Sequence, residues 1–175
     1  MKNFIFLVLF LSASLIGRTQ SMSSVVKSQA LEMGKAFVAG DSKLFSKFML
    51  PELIEVGGGE DKVNVTMDSM FMIFKSFGGQ VQRITYGNPG KIVKYKKELQ
   101  TTLPQTTEIT SPFADVVLTS TLIALSRDNG KSWFFFDTSM GRAKNLREKL
   151  PTLSPEIVVP PMQPPKITPK QEIPQ

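Results

Sequence analysis

The 175-residue chain contains neither histidine nor cysteine. Imidazole bases, Ser-His-Asp triads, thiol nucleophiles, disulfides and Cys/His zinc sites are therefore excluded. Any catalysis must rest on Asp, Glu, Lys or Tyr. Asp137 draws attention because it closes the run Phe134-Phe135-Phe136 at a predicted strand end. Desolvation there would favour the protonated acid. The alternative is that Asp137 caps the following Thr138-Ser139 turn. Gly57-Gly58-Gly59 precedes a predicted helix and invites a phosphate, but it lacks the Gly-Lys-Ser/Thr ending of a P-loop. Glu60 and Asp61 occupy the helix start where an anion would sit, and they already complement its dipole. The glycines therefore read as a flexible entry to the helix. Asn64-Val65-Thr66 fits a glycosylation sequon but falls inside that same helix.

The sheet that would position these groups is organised around Val116 to Asp137. Two apolar, β-branched and aromatic runs there flank Asp128-Asn129-Gly130-Lys131. Asn-Gly is a strong hairpin signal, because both central residues of a type I′ turn need φ > 0. This hairpin is expected at the centre of the sheet.

Upstream, the spacing of Val26, Ala30, Met33 and Phe37 predicts a helix over Val25–Ala39, closed by Gly40. Asp41 or Ser42 can cap a short second helix carrying Leu44, Phe45, Phe48 and Met49, which stops before Pro51. Leu53 to Val56 reads as a short extended piece. A long helix runs from Glu60 to about Phe77, with Val63, Met67, Met70, Phe71, Phe74 and Phe77 as its buried stripe. That stripe reads as core rather than as a cofactor box. From Gln80 the period changes to two. Val81–Tyr86 is a strand, Gly87–Gly90 a turn, Lys91–Tyr95 extended, and Glu98–Ile109 a second long strand. Pro104 inside that strand implies an edge or a bulge. Asn145 to Leu150 predicts one or two helical turns burying Leu146 and Leu150. Helices followed by an antiparallel meander of about four strands give an α+β class.

Met1–Thr19 has the form of a secretory signal: a positive start, a 13-residue apolar stretch from Phe4 to Ile16, and small residues Gly17 and Thr19 before a cut at Gln20. The apolar stretch is short for a membrane span, and no later stretch is long enough. An exported product, periplasmic or extracellular, with no membrane span after processing is expected. Net charge is +6, of which Lys2 and Arg18 supply two, leaving +4 on the mature chain. The excess is scattered, so no nucleic-acid partner is expected. Lys91, Lys94, Lys96 and Lys97 fit a solvated sheet edge. Residues 20–158 form a single domain. The Pro-rich segment 159–175 is expected to be disordered or partly polyproline II.

Two resemblances follow. Ser126-Arg127-Asp128-Asn129-Gly130-Lys131-Ser132-Trp133 resembles the Asp-box turn of sialidase-like propellers and other secreted β proteins. In such a turn the carboxylate accepts loop N–H groups, glycine supplies φ > 0, and tryptophan covers the loop. A propeller needs several copies and there is one here, so a stable turn is expected. The wider order resembles the cone-shaped ketosteroid-isomerase-like, or nuclear-transport-factor-like, superfamily. It covers Val25 to about Ile157 and rests on Phe37-Val38-Ala39-Gly40-Asp41, Pro51-Glu52-Leu53, the three glycines, the long helix and a bent sheet. Tyr86-Gly87-x-Pro89-x-Lys91, Glu98-Leu99-Gln100, Ser120–Ala124 and Asp137-Thr138-Ser139 further resemble a group of secreted Bacteroidetes-type proteins.

The superfamily resemblance implies a conical pocket between a strongly bent sheet and the helices, with Met70, Phe74, Thr121 and Phe134 as lining candidates. Members use such a pocket for isomerisation, small hydrolyses or binding. An isomerase of this type pairs an Asp base with a Tyr or protonated Asp donor. Candidates here are Asp137, Glu108, Tyr86 and Tyr95, with Asp115 also available. Three readings stay open: an exported, non-enzymatic module binding an apolar small molecule or a partner; a pocket enzyme using carboxylate and tyrosine acid/base chemistry; and an envelope-assembly factor acting through the Pro-rich tail. No cofactor or metal is called for, and a homodimer is compatible with the open face of a bent sheet.

Overall fold

The computed structural model describes residues 22–140 and 150–170. The predicted signal segment and the predicted turns before Leu150 lie outside these residues. The first helix, α1, occupies residues 22–39 and buries Val26, Ala30, Met33 and Ala36, one stripe at helical spacing. Gly40 follows with φ 74°, a left-handed closure that glycine adopts freely. Asp41 caps α2 (Ser42–Ser46) by accepting the Leu44 N–H at 2.9 Å.

Three helical expectations need correction. Helix α2 ends at Ser46, so Phe48 and Met49 lie beyond it, and Met49 bridges to Phe135 of the sheet. The segment predicted as extended is helix α3 (Pro51–Val56). Pro51 at its first position has a preset φ and no N–H to satisfy there, and Glu52 complements the dipole. Helix α4 (Glu60–Ser76) forms as predicted, but its stripe is only partly covered. Val63 is buried and Met67, Phe71 and Phe74 are half-buried, whereas Met70 and Phe77 stand in solvent. The helix packs on α2, on α3 and, through an edge-to-face pair at 5.1 Å, on Phe37 of α1. Its neighbours reach only one flank of the apolar arc.

The sheet is antiparallel, open and six-stranded, not four-stranded. Its strands are β1 (Gln80–Tyr86), β2 (Val93–Tyr95), β3 (Glu98–Thr110), β4 (Ala114–Ser126), β5 (Phe134–Asp137) and β6 (Lys166–Pro169). The order is β1-β3-β4-β5, with β2 also on β3 and β6 also on β4. The centre is thus the long β3–β4 hairpin, and the expected central pair β4–β5 puts the short β5 outside. Pro104 lies in this inner strand, yet its location obeys the rule for strand prolines. β1 pairs β3 up to Gln105 and β2 pairs it from Gln100, so Pro104 falls in the gap between them. Its carbonyl accepts the Gly87 N–H at 2.9 Å, so its missing N–H faces the same loop rather than a ladder.

The tail is also corrected. Residues 166–169 are strand β6, paired with Ala114–Val117, although Ile167 and its neighbours remain exposed. Main-chain pairing at an uncovered edge orders a segment whose composition offers no core.

Both faces of the sheet's upper half are covered. On one, α1 meets Phe48, Tyr86, Leu103, Leu122, Ala124, Trp133 and Phe135. On the other, Leu150, Leu153 and Ile157 pack with Leu50 on Val93, Ile123, Leu125 and Phe136. This explains why Leu122-Ile123-Ala124-Leu125 is apolar without alternation. Leu150 is buried as predicted.

Candidate functional site

The strand register brings together two of the four acid/base candidates. Tyr86, Gln105 and Ser120 form one cross-strand row, and Leu122 pairs with Asp137 one step above it. Gln105 Nε2 donates to Asp137 Oδ2 at 2.9 Å and to Ser120 Oγ at 3.2 Å. The Ser139 N–H donates to Asp137 Oδ1 at 2.9 Å, so Asp137 does cap the turn after β5. Tyr86 is buried under α1 and its hydroxyl has no hydrogen-bond partner. Burial raises its pKa well above the usual phenol range, and the nearby Asp137 carboxylate adds to this. The hydroxyl abuts α1 at Gly34, where a Cβ would lie 2.6 Å from it. The helix backbone thus occupies the place where a substrate would have to meet this donor.

The other candidates lie apart. Glu108 alternates to the opposite sheet face and pairs with Arg83 at 2.6 Å. Tyr95 is half-buried on β2, with the Lys96 ammonium 5.6 Å from its ring centre. Asp115 is held below its ordinary range: the Thr110 hydroxyl and then the Lys170 ammonium stabilise its charge over a small desolvation. The expected pocket-lining residues do not converge. Met70 is exposed, Phe74 is half-buried against Gly79, Thr121 is half-buried opposite Pro104, and Phe134 packs with the second core.

Among the described residues, two hollows bear on these candidates. One of about 400 Å³ lies at the hairpin end of the sheet, against Gln82, Glu108, Thr110, Asp115, Val117 and Lys170. Its lining includes the Asp115–Lys170 pair and Glu108, the partner of Arg83. The other, about 90 Å³, lies against Leu50, Glu52, Leu53, Leu125, Arg127 and Leu150. Neither includes Met70, Phe74, Thr121 or Phe134.

Beside the smaller cavity is a polar clasp with no motif in the sequence. Gln100, fully buried, donates to Glu98 at 2.9 Å and to the Thr152 carbonyl at 2.8 Å, and accepts the Ser154 N–H at 2.8 Å. Glu98 also accepts from Arg127 at 2.8 Å and from Thr152 Oγ1 at 3.0 Å, and Arg127 further pairs with Glu52. These bonds tie residues 152–154 to β3. The only signal for Gln100 and Gln105 is a polar residue at an inward position, and that needs the register to be seen.

The Asp128 loop is as the sequence predicts in its bonding. Asp128 Oδ1 accepts the Lys131 N–H at 3.0 Å, the Ser132 N–H at 2.9 Å and the Ser126 hydroxyl at 2.9 Å. Burial works against the charge, but these donors outweigh it and pull the pKa down to about 2. Asn129 and Gly130 have φ 62° and 88°, and Trp133 Nε1 donates to the Gly130 carbonyl at 3.1 Å. The ladder nevertheless closes at Leu125–Phe134, so the connection is a wide carboxylate-centred loop rather than a two-residue turn.

Helix α4 carries an exposed apolar stripe. Met70, Ile73 and Phe77, at i, i+3 and i+7, are 61%, 57% and 74% exposed and share one stripe. The turn that follows brings Gly78 against Pro112, next to the exposed Phe113. Among the described residues no helix is long and apolar enough to cross a membrane, and no group of three acidic side chains is placed to hold a metal ion. No protein-family model, no curated protein and no solved structure matches this chain.

Proposed function

We propose that this protein is an exported, non-enzymatic interaction module that seats an amphipathic helix of a partner protein along the open side of α4. The observation that carries this is the exposed stripe Met70-Ile73-Phe77. Its spacing is that of anchors between packed helices. Contiguous exposed apolar side chains on a soluble domain mark contact surfaces, and methionine adapts its shape to a partner. The partner replaces the apolar small molecule considered above, because the apolar surface faces outward. Export rests on the signal-like segment 1–19. The order of helices before sheet supports a cone-like member of the ketosteroid-isomerase-like superfamily.

A photo-crosslinking residue placed at Phe77 in the native host tests the proposal. An adduct with one protein is expected, lost on Ile73→Glu and not formed from a probe at Thr85, which lies on the sheet. Equal labelling from both positions, or none from Phe77, would refute it. One observation favours a pocket enzyme instead: Tyr86 and Asp137 are neighbours. That reading requires α1 to move off Tyr86, because Gly34 now fills the approach.

A further inference from the structure

The C-terminal strand makes contacts that a second copy of the chain would reproduce without change. β6 pairs with Ala114–Val117 through its main chain, and residues 160–170 are all exposed. Ile167, its one large apolar residue, keeps 60% of its surface in solvent. The strand is therefore held by the ladder and by a terminal latch. The Lys170 N–H donates to the Phe113 carbonyl at 2.9 Å. Its ammonium reaches Asp115 Oδ1 and the Ser111 carbonyl, both at 2.9 Å, and Thr110 Oγ1 at 2.5 Å.

Before this strand runs Val158-Val159-Pro160-Pro161-Met162-Gln163-Pro164-Pro165. Ile157 is buried and Val159 still packs against the second core, so the body ends at Val159. The exposed part, Pro160–Pro165, has four prolines in six residues and forms a stiff spacer of about 19 Å if extended as polyproline II. The arm reaches its own edge in this structure, and the same stiff spacer would let it project to another.

We propose that β6 is an exchangeable arm: the strand of one copy docks on Ala114–Val117 of a second copy, and the second returns its own. The occupant is specified by the latch. Lys170 is matched to Asp115, Thr110 and the hairpin carbonyls, and a second copy offers that set in the same register. Ladder, latch and register are identical in the closed and exchanged forms. Only the spacer's preference and the entropy of association separate them. When the arm is away, Ala114–Val117 exposes unpaired main-chain groups, which a sheet edge does not tolerate idly.

The chain has no cysteine, so disulfides can report where the arm sits. Val116 and Ile167 are register partners, within bridging distance for a cross-strand pair. Val116→Cys and Ile167→Cys are prepared as separate full-length variants with different mass tags, mixed, incubated and oxidised. A mixed disulfide in excess over both same-variant disulfides is expected, with its loss on Lys170→Ala. The double variant should shift from intrachain to interchain bridges as concentration rises. Intrachain bridges at every concentration, or same-variant disulfides as abundant as mixed ones, would overturn the proposal. Light scattering on the unmodified chain and on a chain lacking residues 160–175 gives an independent reading. A concentration-dependent dimer should disappear with the arm, and a dimer that survives its removal would also overturn the proposal.

Discussion

Gly34→Ala is expected to destabilise this protein, against the ordinary rule for helices. In a helix interior the substitution normally gains about 1 kcal/mol. Here the added Cβ would lie 2.6 Å from Tyr86 Oη, 3.0 Å from Cε2 and 3.2 Å from Cζ. The hydroxyl sits on the ring axis, so a ring flip does not move it away. The ring itself is fixed among Leu103, Leu122 and Phe135 in the main core. Overpacking of this kind costs about 1–3 kcal/mol. The net loss should be up to about 2 kcal/mol, or as much as a few degrees in Tm for a domain of this size. Tyr86→Phe removes the closest atom and also a buried hydroxyl with no partner. An unsatisfied buried polar group costs about 1–3 kcal/mol, so this variant should be neutral or about 1 kcal/mol more stable. In the Phe background, Gly34→Ala should cost little, giving a coupling of about 1 kcal/mol or more. Urea unfolding followed by the fluorescence of Trp133, the one tryptophan and buried, measures all four variants. Alkali adds a second reading. The Tyr86 pKa is raised by burial and then by Asp137, so the folded state favours the neutral phenol. Its contribution is complete below the unfolded pKa near 10 and is lost as pH rises above that value. Tyr86→Phe should flatten this alkaline decline. An additive cycle, or a Gly34→Ala variant about 1 kcal/mol more stable than the parent, would refute the reasoning.

Asp128→Ala should cost about 1–2 kcal/mol, since it leaves two loop N–H groups without their acceptor. The lowered Asp128 pKa means its stabilisation is present above the ordinary carboxylate value of 3.8 and is lost as pH falls toward about 2. Thermal melts between pH 5 and 2 should therefore show a smaller acid decline in the variant than in the parent. Gln100→Leu should cost about 2–4 kcal/mol by stranding the Ser154 N–H and the Thr152 carbonyl. Hydrogen exchange in residues 150–157 should quicken more than in α1, and uniform quickening would count against the clasp. Intact mass of the protein recovered from its native host should correspond to a start at Gln20, and a retained segment 1–19 would remove the basis for export.

Local signals were legible wherever one residue's chemistry fixes the backbone. Gly40 closes α1, Asp41 caps α2, and Asn129 and Gly130 take positive φ beside an Asp128 that gathers the loop N–H groups. Leu53–Val56 was misleading because its apolar spacing suits strand or helix, and Pro51 decided the matter by starting a helix. The α4 stripe was legible as a pattern but not as a buried face. Periodicity shows which residues share a side, while coverage depends on what stands opposite.

By itself the sequence determined the α+β class, the order of most elements, and the exclusion of imidazole and thiol chemistry. These follow from residue type and near-neighbour spacing, which act along the chain. Only the tertiary structure decided that Tyr86 lies near Asp137 while Glu108 takes the opposite face, that Gln100 ties down residues 152–154, and that the proline-rich end supplies a sixth strand. Each of these depends on strand register and on which edge is left open. Register turns on the parity of pairing between residues tens of positions apart, and no local spacing carries that information.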